Sequence, residues 1–136
     1  MKKIDVYEID QHSQMDEDVS RFVRKKKFLS LPAQLKALEG SLSEGDFPGE
    51  LISRRKKPVP HEIYKLRLPN PDTKVGKSSG YRVFYVVVME QRIVVFLTIY
   101  YKKEDEAVTD AYVEGLINGY FLDALPYEDD SGFNNV

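Results

Sequence analysis

Apolar and polar residues alternate from Ile4 to Ile9 (Ile-Asp-Val-Tyr-Glu-Ile), the period of a strand with one face buried. The period then lengthens. Asp16, Glu17 and Asp18 precede Val19, Phe22 and Val23, and Lys25, Lys26 and Lys27 follow. Acids first and cations last suit the helix macrodipole and predict a helix over 16–27. A second helix begins near Leu31, takes Pro32 in its first turn, and carries Leu31, Leu35, Leu38 and Leu42 at helical spacing before Gly45. Two amphipathic helices with a short link predict an antiparallel helical hairpin. Residues 46–60, with Pro48, Gly49, Pro58 and Pro60 and no periodicity, read as a loop. Strands resume at Glu62–Leu68, where Tyr64, Leu66 and Leu68 share one face and Ile63, Lys65 and Arg67 the other.

Turn residues at Asn70-Pro71-Asp72 and Gly76 to Gly80 lead into Tyr81–Met89, and a tight turn at Glu90 to Arg92 into Ile93–Tyr101. Both runs are apolar on both faces, as central strands are. Helical spacing returns over Glu104–Phe121 through Val108, Ala111, Tyr112, Leu116, Ile117 and Tyr120. The expected order is β-α-α-β-β-β-α. It describes an α+β domain over residues 1–121, in which an N-terminal strand and a helical hairpin pack on an antiparallel sheet of about four strands, closed by a C-terminal helix. Residues 122–136 read as an acidic, flexible tail.

Composition narrows the functional classes. A chain of 136 residues, 42% hydrophobic and 31% charged, suits one domain. The absence of cysteine removes disulfides, thiol nucleophiles and thiolate metal sites, and makes the cytoplasm the default compartment. Residues 1–8 hold no uninterrupted apolar run of the secretory kind, and Glu90, Gln91 and Arg92 interrupt the most apolar stretch, so no membrane partner is expected. The net charge of −2 conceals a split: residues 54–82 carry nine Lys or Arg against two acids, and residues 104–136 carry nine acids and no Lys or Arg. A basic middle points to an anionic partner.

Two histidines without cysteine do not make the usual zinc site, and the acids follow no calcium-loop spacing, so no metal is expected. Gly76-Lys77-Ser78-Ser79-Gly80 lacks the first glycine of a P-loop and precedes a strand where a P-loop needs a helix. His12 and His61 lie on separate elements and read as unpaired surface residues. What remains is Lys65 and Arg67, two apart on one strand, and Arg82 at the start of the next. If those strands pair, three cations meet on one face. Such a trio is either a solvated sheet face that pairs with Glu62 or a cradle for a phosphodiester, in which guanidinium forks hold the non-bridging oxygens. Arg54, Arg55, Lys56 and Lys57, with Lys77, Lys102 and Lys103, would extend a cationic RNA-binding patch.

Three strings, Tyr64-Lys65-Leu66-Arg67-Leu68, Gly76-Lys77-Ser78-Ser79-Gly80-Tyr81-Arg82-Val83-Phe84-Tyr85 and Val94 to Glu104, resemble the RelE/ParE toxin superfamily, in particular the RelE and HigB-type messenger RNA interferases. The resemblance covers residues 61–112. It implies the toxin of a type II toxin-antitoxin pair, whose partners are messenger RNA on the ribosome and a cognate antitoxin protein. The RNA's own 2'-hydroxyl attacks the adjacent phosphorus, with no metal or other cofactor. Lys65 and Arg67 match the strand cations that orient the phosphate or help deprotonate the hydroxyl. Arg82 matches the arginine that stabilises the phosphorane, and Lys103 the cation that assists the leaving oxygen.

Two features depart from the family. The tyrosine early in its last helix is replaced by Thr109, with Tyr112 three residues on as a substitute in RNA binding or as core. The chain is also net acidic where interferases are basic. The alternative reading is therefore a binding protein of the same fold, either a ParE-like gyrase inhibitor or a toxin homologue without catalysis. The charge split further suggests a tail that folds back on the cationic face, or one that is simply solvated.

Overall fold

The computed structural model describes residues 6–124. Its elements in chain order are β1 (Glu8–Gln11), α1 (Ser13–Ser20), α2 (Leu31–Ser43), β2 (Glu50–Arg55), β3 (His61–Leu68), β4 (Tyr81–Val88), β5 (Ile93–Tyr101) and α3 (Asp110–Ala124). The α+β class holds, but the order is β-α-α-β-β-β-β-α, with one strand more than the sequence suggests. The five-stranded sheet has the spatial order β1-β5-β4-β3-β2. It is mixed: β1 lies parallel to β5 and every other pair is antiparallel.

β4, apolar on both faces, is the middle strand and is buried at every position. Met15 and Phe22, with Leu31, Leu35, Leu38 and Leu42 of α2, cover Tyr81, Val83, Tyr85 and Val87 on one face. Val113, Ile117 and Phe121 of α3 cover Phe84, Val86 and Val88 of β4 with Val95 and Leu97 of β5 on the other. Each of these aliphatic or aromatic side chains contributes about 1.5 to 3 kcal/mol by leaving water, so the alternation along β4 is what holds helices on both sides.

Three boundaries shift for physical reasons. The alternation predicts a first strand over 4–9; Ile4 lies outside the described residues, and pairing begins only at Glu8, opposite Ile93. Val6 and Tyr7 instead donate their N–H groups to Ser43 O at the end of α2, at 2.8 and 3.0 Å. The first helix starts at Ser13, earlier than the acids suggest, because His12 is its cap: its Nδ1 accepts from Gln14 N at 2.9 Å. It passes into a π-helical turn at Arg21–Lys25. β2 falls within the stretch that reads as loop. Its pairing is interrupted by a bulge between Leu51 and Ser53, where Ile52 is the extra residue against β3.

The acids at 16–18 and 104–106 do different work from the one expected. β1 covers β5 only from Ile93 to Phe96, leaving the upper edge of β5 open. Asp18 Oδ2 accepts from Ile99 N at 3.1 Å and from the Thr98 hydroxyl at 2.5 Å, and Asp105 Oδ2 accepts from Tyr101 N at 2.9 Å. Carboxylates thus finish the ladder where the partner strand ends, meeting the need of buried N–H groups for a partner. With Asp105 used in this way and Glu104 paired with Lys26, the last helix starts at Asp110, not 104, and runs to Ala124. Of the tail expected over 122–136, residues 122–124 continue α3, and residues 125–136 lie outside the described residues. No helix among the described residues is long and apolar enough to cross a membrane.

Candidate functional site

Strand register decides which cations meet. Lys65 stands opposite Phe84 and Arg67 opposite Arg82 across the β3–β4 pair; Phe84 and Arg82 in turn face Thr98 and Tyr100 of β5. Two rows therefore cross the sheet on the face that α3 covers, Lys65-Phe84-Thr98 and Arg67-Arg82-Tyr100, with neighbouring Cβ atoms about 4.5 to 5.5 Å apart. α3 shields the other half of this face: Phe121 packs its ring 5.6 Å from that of His61. Of the two rows, only the β3 members reach solvent, Arg67 fully and Lys65 in part.

Each cation is held differently. Lys65 is half-buried, its Nζ 5.6 Å from the centroid of the Phe84 ring, which Tyr100 backs at 6.4 Å. Arg67 is exposed. Arg82, only 3% exposed, sends Nη1 to Lys77 O (2.8 Å) and Tyr81 O (3.1 Å) and Nη2 to Ser78 O (2.9 Å). Burial lowers its pKa, and the charge of Arg67 lowers it further. Its guanidinium thus knits together the turn at 77–79 that carries Lys77. Arg82→Met, which keeps the length and removes the forks, is expected to lower stability by about 2 kcal/mol, measurable as a reduced urea midpoint at unchanged slope.

Two glycines bring the flanking chain close enough to make a groove. Gly49 has φ +101°, and a Cβ there would lie 2.7 Å from Lys65 O. A Cβ on Gly80 would lie 2.1 Å from Leu68 O and 2.9 Å from Gly76 O. The segments around 48–50 and 76–80 therefore press on β3 and wall a depression of about 500 Å³, into which Lys65, Arg67, Lys77 and Glu50 face. Among the described residues none of Lys65, Arg67, Lys77 and Arg82 is ion-paired. Glu50, opposite Lys65 across the β2–β3 pair, is the one carboxylate lining the depression, so Lys65, Arg67 and Lys77 leave its potential net positive.

The remaining candidates are placed elsewhere. Arg54 pairs with Glu62 at 2.8 Å and Arg55 with Glu114 of α3. With the exposed Lys56 and Lys57 they stand at the His61 end of β3, which is six residues, or about 20 Å, from Arg67. The cross-strand pairing with Glu62 thus belongs to Arg54, not to the trio. Lys102 and Lys103 are exposed at the end of β5, and Lys102 N donates to Gly80 O at 2.8 Å, beside the groove. His61 is buried, not a surface residue; its Nδ1 lies 2.7 Å from Val59 O, and it is not brought to His12. Thr109 caps α3 by accepting from Tyr112 N at 3.1 Å. The Tyr112 phenol pKa is raised by partial burial and then by the charges of Asp18 and Glu17. No cluster of three or more His, Asp or Glu among the described residues has the arrangement of a metal site.

Sequence reasoning misses Glu50 and Gly49, since β2 reads as loop, and it misses the capping roles of Asp18 and Asp105, which no local pattern reveals. No protein-family model matches the chain, and no curated protein matches it in sequence. Among solved structures the chain is similar to the isolated E. coli RelE toxin in its P21 crystal form, at 17% identity, over 82% of this chain and 97% of that one, with a TM-score of 0.46.

Proposed function

We propose that the chain is a toxin of the RelE/ParE superfamily that cleaves messenger RNA on the ribosome. The observation that carries this reading is the register pairing that puts Lys65, Arg67 and Arg82 on one sheet face, with Lys77 in the adjoining wall, Glu50 the one acid lining the groove, and no ion pair to any of the four cations among the described residues. Arg67 and Lys65 hold the non-bridging oxygens of the scissile phosphate. Arg82 acts behind them: it fixes the turn that carries Lys77 and adds its charge from below. The 2'-hydroxyl oxygen bonds to phosphorus as its proton passes to a solvent water, the bond from phosphorus to the 5'-oxygen breaks, and a cyclic phosphate and a free 5'-hydroxyl result. Lys103 supplies the proton to the departing oxygen. Negative charge grows on the phosphorane oxygens as the bond forms, so fixed cations favour this state over the bound RNA.

The test is primer extension on a defined messenger in a bacterial translation mixture, with and without ribosomes. Discrete cuts that require ribosomes are expected from the wild-type chain and none from Arg67→Ala. Folded wild-type protein that makes no cut would instead support binding without catalysis. One observation favours that second reading: Thr109, where the family has a tyrosine, brings no phenol, and its hydroxyl is spent as the cap of α3, accepting from Tyr112 N. Gyrase is then the next target, with DNA damage in place of arrested translation.

A further inference from the structure

The cations of the groove project from the sheet face that α3 covers, but one of its walls is held from the other face. Gly49 brings the chain against β3 without a side chain of its own to anchor it there. Pro48, just before it, has no N–H, so its carbonyl is its one main-chain polar group. That carbonyl accepts from the hydroxyl of Tyr85, a residue of β4 wholly buried on the face that α2 covers. Burial first, then the nearby Tyr64 and Asp46, raise the pKa of this phenol, which keeps its proton available for the bond.

The same face supplies a second hold on the link between α2 and β2. Tyr64 stands opposite Tyr85 across the β3–β4 pair, and the two rings stack at 5.1 Å with 5° between their planes. Phe47 lies 5.9 Å from the Tyr64 ring and, edge on, 5.1 Å from that of Tyr7, whose N–H is bonded to Ser43 O at the end of α2. Ring contacts of this kind tolerate a range of offsets, whereas a hydrogen bond fixes a distance and a direction. The Tyr85 hydroxyl therefore sets where Pro48 stops, and with it the place of Gly49 and Glu50, which line the groove beside Lys65.

We infer that Tyr85 is a positioning residue: through Pro48 it seats the wall that closes the groove on a single RNA strand, and it touches no RNA itself. The inference rests on the RNA-cleaving reading for the occupant of the groove. Unseating the wall leaves the reactive cations where they are, because Lys65, Arg67 and Arg82 stand on paired strands. It lowers only the fraction of molecules ready to bind, and the apparent dissociation constant rises by the reciprocal of that fraction.

Tyr85→Phe in the full chain removes the hydroxyl and keeps the ring. Hydrogen exchange of the free protein is expected to quicken about five- to tenfold over residues 47–51 and not elsewhere, the worth of one hydrogen bond. Single-turnover cleavage in the translation mixture, followed over a range of protein concentrations, is expected to show the half-saturating concentration raised by a similar factor and the maximal rate unchanged. Affinity for a 2'-O-methyl single strand should fall alongside. Tyr64→Phe is the control: it removes a phenol of the same stack that donates to Glu62 Oε1 at 3.0 Å and not to the wall, so neither measurement should move. Exchange unchanged at 47–51 in Tyr85→Phe overturns the inference, because the bond does not then seat the wall, and exchange quickened equally in every segment overturns it too, because Tyr85 is then core alone. Quickened exchange at the wall with RNA affinity intact also overturns it; if Lys65→Gln with Arg67→Gln still loses the strand, the cleavage reading stands without it. A fall in the maximal rate as large as the fall in affinity does the same, since the cations would have moved. A wild-type chain that neither binds nor cleaves RNA sinks the cleavage reading and the role of Tyr85 towards RNA together, while quickened exchange at 47–51 would still show the hydroxyl holding the wall.

Discussion

Arg67→Ala is expected to lower the rate constant for RNA cleavage by about 10²- to 10³-fold, the usual loss when one preorganised charge stabiliser is removed, and to leave the protein as stable as the wild type or slightly more so. The two halves of this result have one origin. Arg67 faces Arg82 directly across the β3–β4 pair, and like charges in register repel. The repulsion is visible in Arg82, whose pKa is lowered by burial and then by Arg67. Arg82 escapes most of it by directing its hydrogen bonds to the carbonyls of Lys77, Ser78 and Tyr81. Arg67, exposed and without an ion pair among the described residues, has no such outlet until a phosphate arrives. Deleting it removes an unfavourable term from the free protein and a favourable one from the transition state. Single-turnover cleavage and a urea titration on the same preparation separate the two. A lower urea midpoint would make Arg67 a structural residue, and unchanged cleavage would remove it from the site.

That juxtaposition is legible in the sequence. Lys65 and Arg67 stand two apart on a strand, Arg82 follows a turn, and a hairpin between them puts all three on one face, which is the register the strands adopt. The two central strands are equally plain, because nothing but burial on both faces explains apolar runs such as Tyr81–Val88 and Ile93–Tyr101. What stays hidden depends on distant partners. The parallel pairing of β1 with β5 joins residues more than eighty apart, and no local pattern encodes its direction. β2 escapes notice because a bulge breaks its period and Pro48 and Gly49 precede it. Asp18 and Asp105 sit where acids suit a helix start, yet they close the open edge of β5. The burial of Arg82 is hidden for a similar reason: its partners are main-chain carbonyls, which carry no sequence signature. An arginine in an apolar strand looks the same whether it reaches for a ligand or for its own backbone.

The glycine in the Ser79-Gly80-Tyr81-Arg82 string marks the same limit from the other side, since its reason is steric and its consequence large. Gly80→Ala is expected to cost about 3 kcal/mol or more, above the usual range for one added methyl in a packed site. The new Cβ would lie 2.1 Å from Leu68 O, a backbone atom at the end of β3 that cannot rotate away, and 2.9 Å from Gly76 O. Relief requires the start of β4 to draw back from β3. That movement strains Gly80 N to Lys77 O and Lys102 N to Gly80 O, the bonds that tie the 77–79 turn and the end of β5 to this point. It also carries Arg82 off its carbonyls, so the groove should lose its Lys77 wall and its affinity for RNA together with the stability. Gly76→Ala, four residues earlier in the same loop, is the matched control: a Cβ there meets nothing within 4 Å and its φ is −76°. It is expected to fall within about 0.5 kcal/mol of wild type. Urea midpoints of the two variants, measured with the RNA affinity of each at one salt concentration, decide the matter. Equal midpoints would mean that β3 and β4 do not approach as closely as the groove requires, and a destabilised Gly80→Ala that still binds RNA normally would detach the groove from this turn.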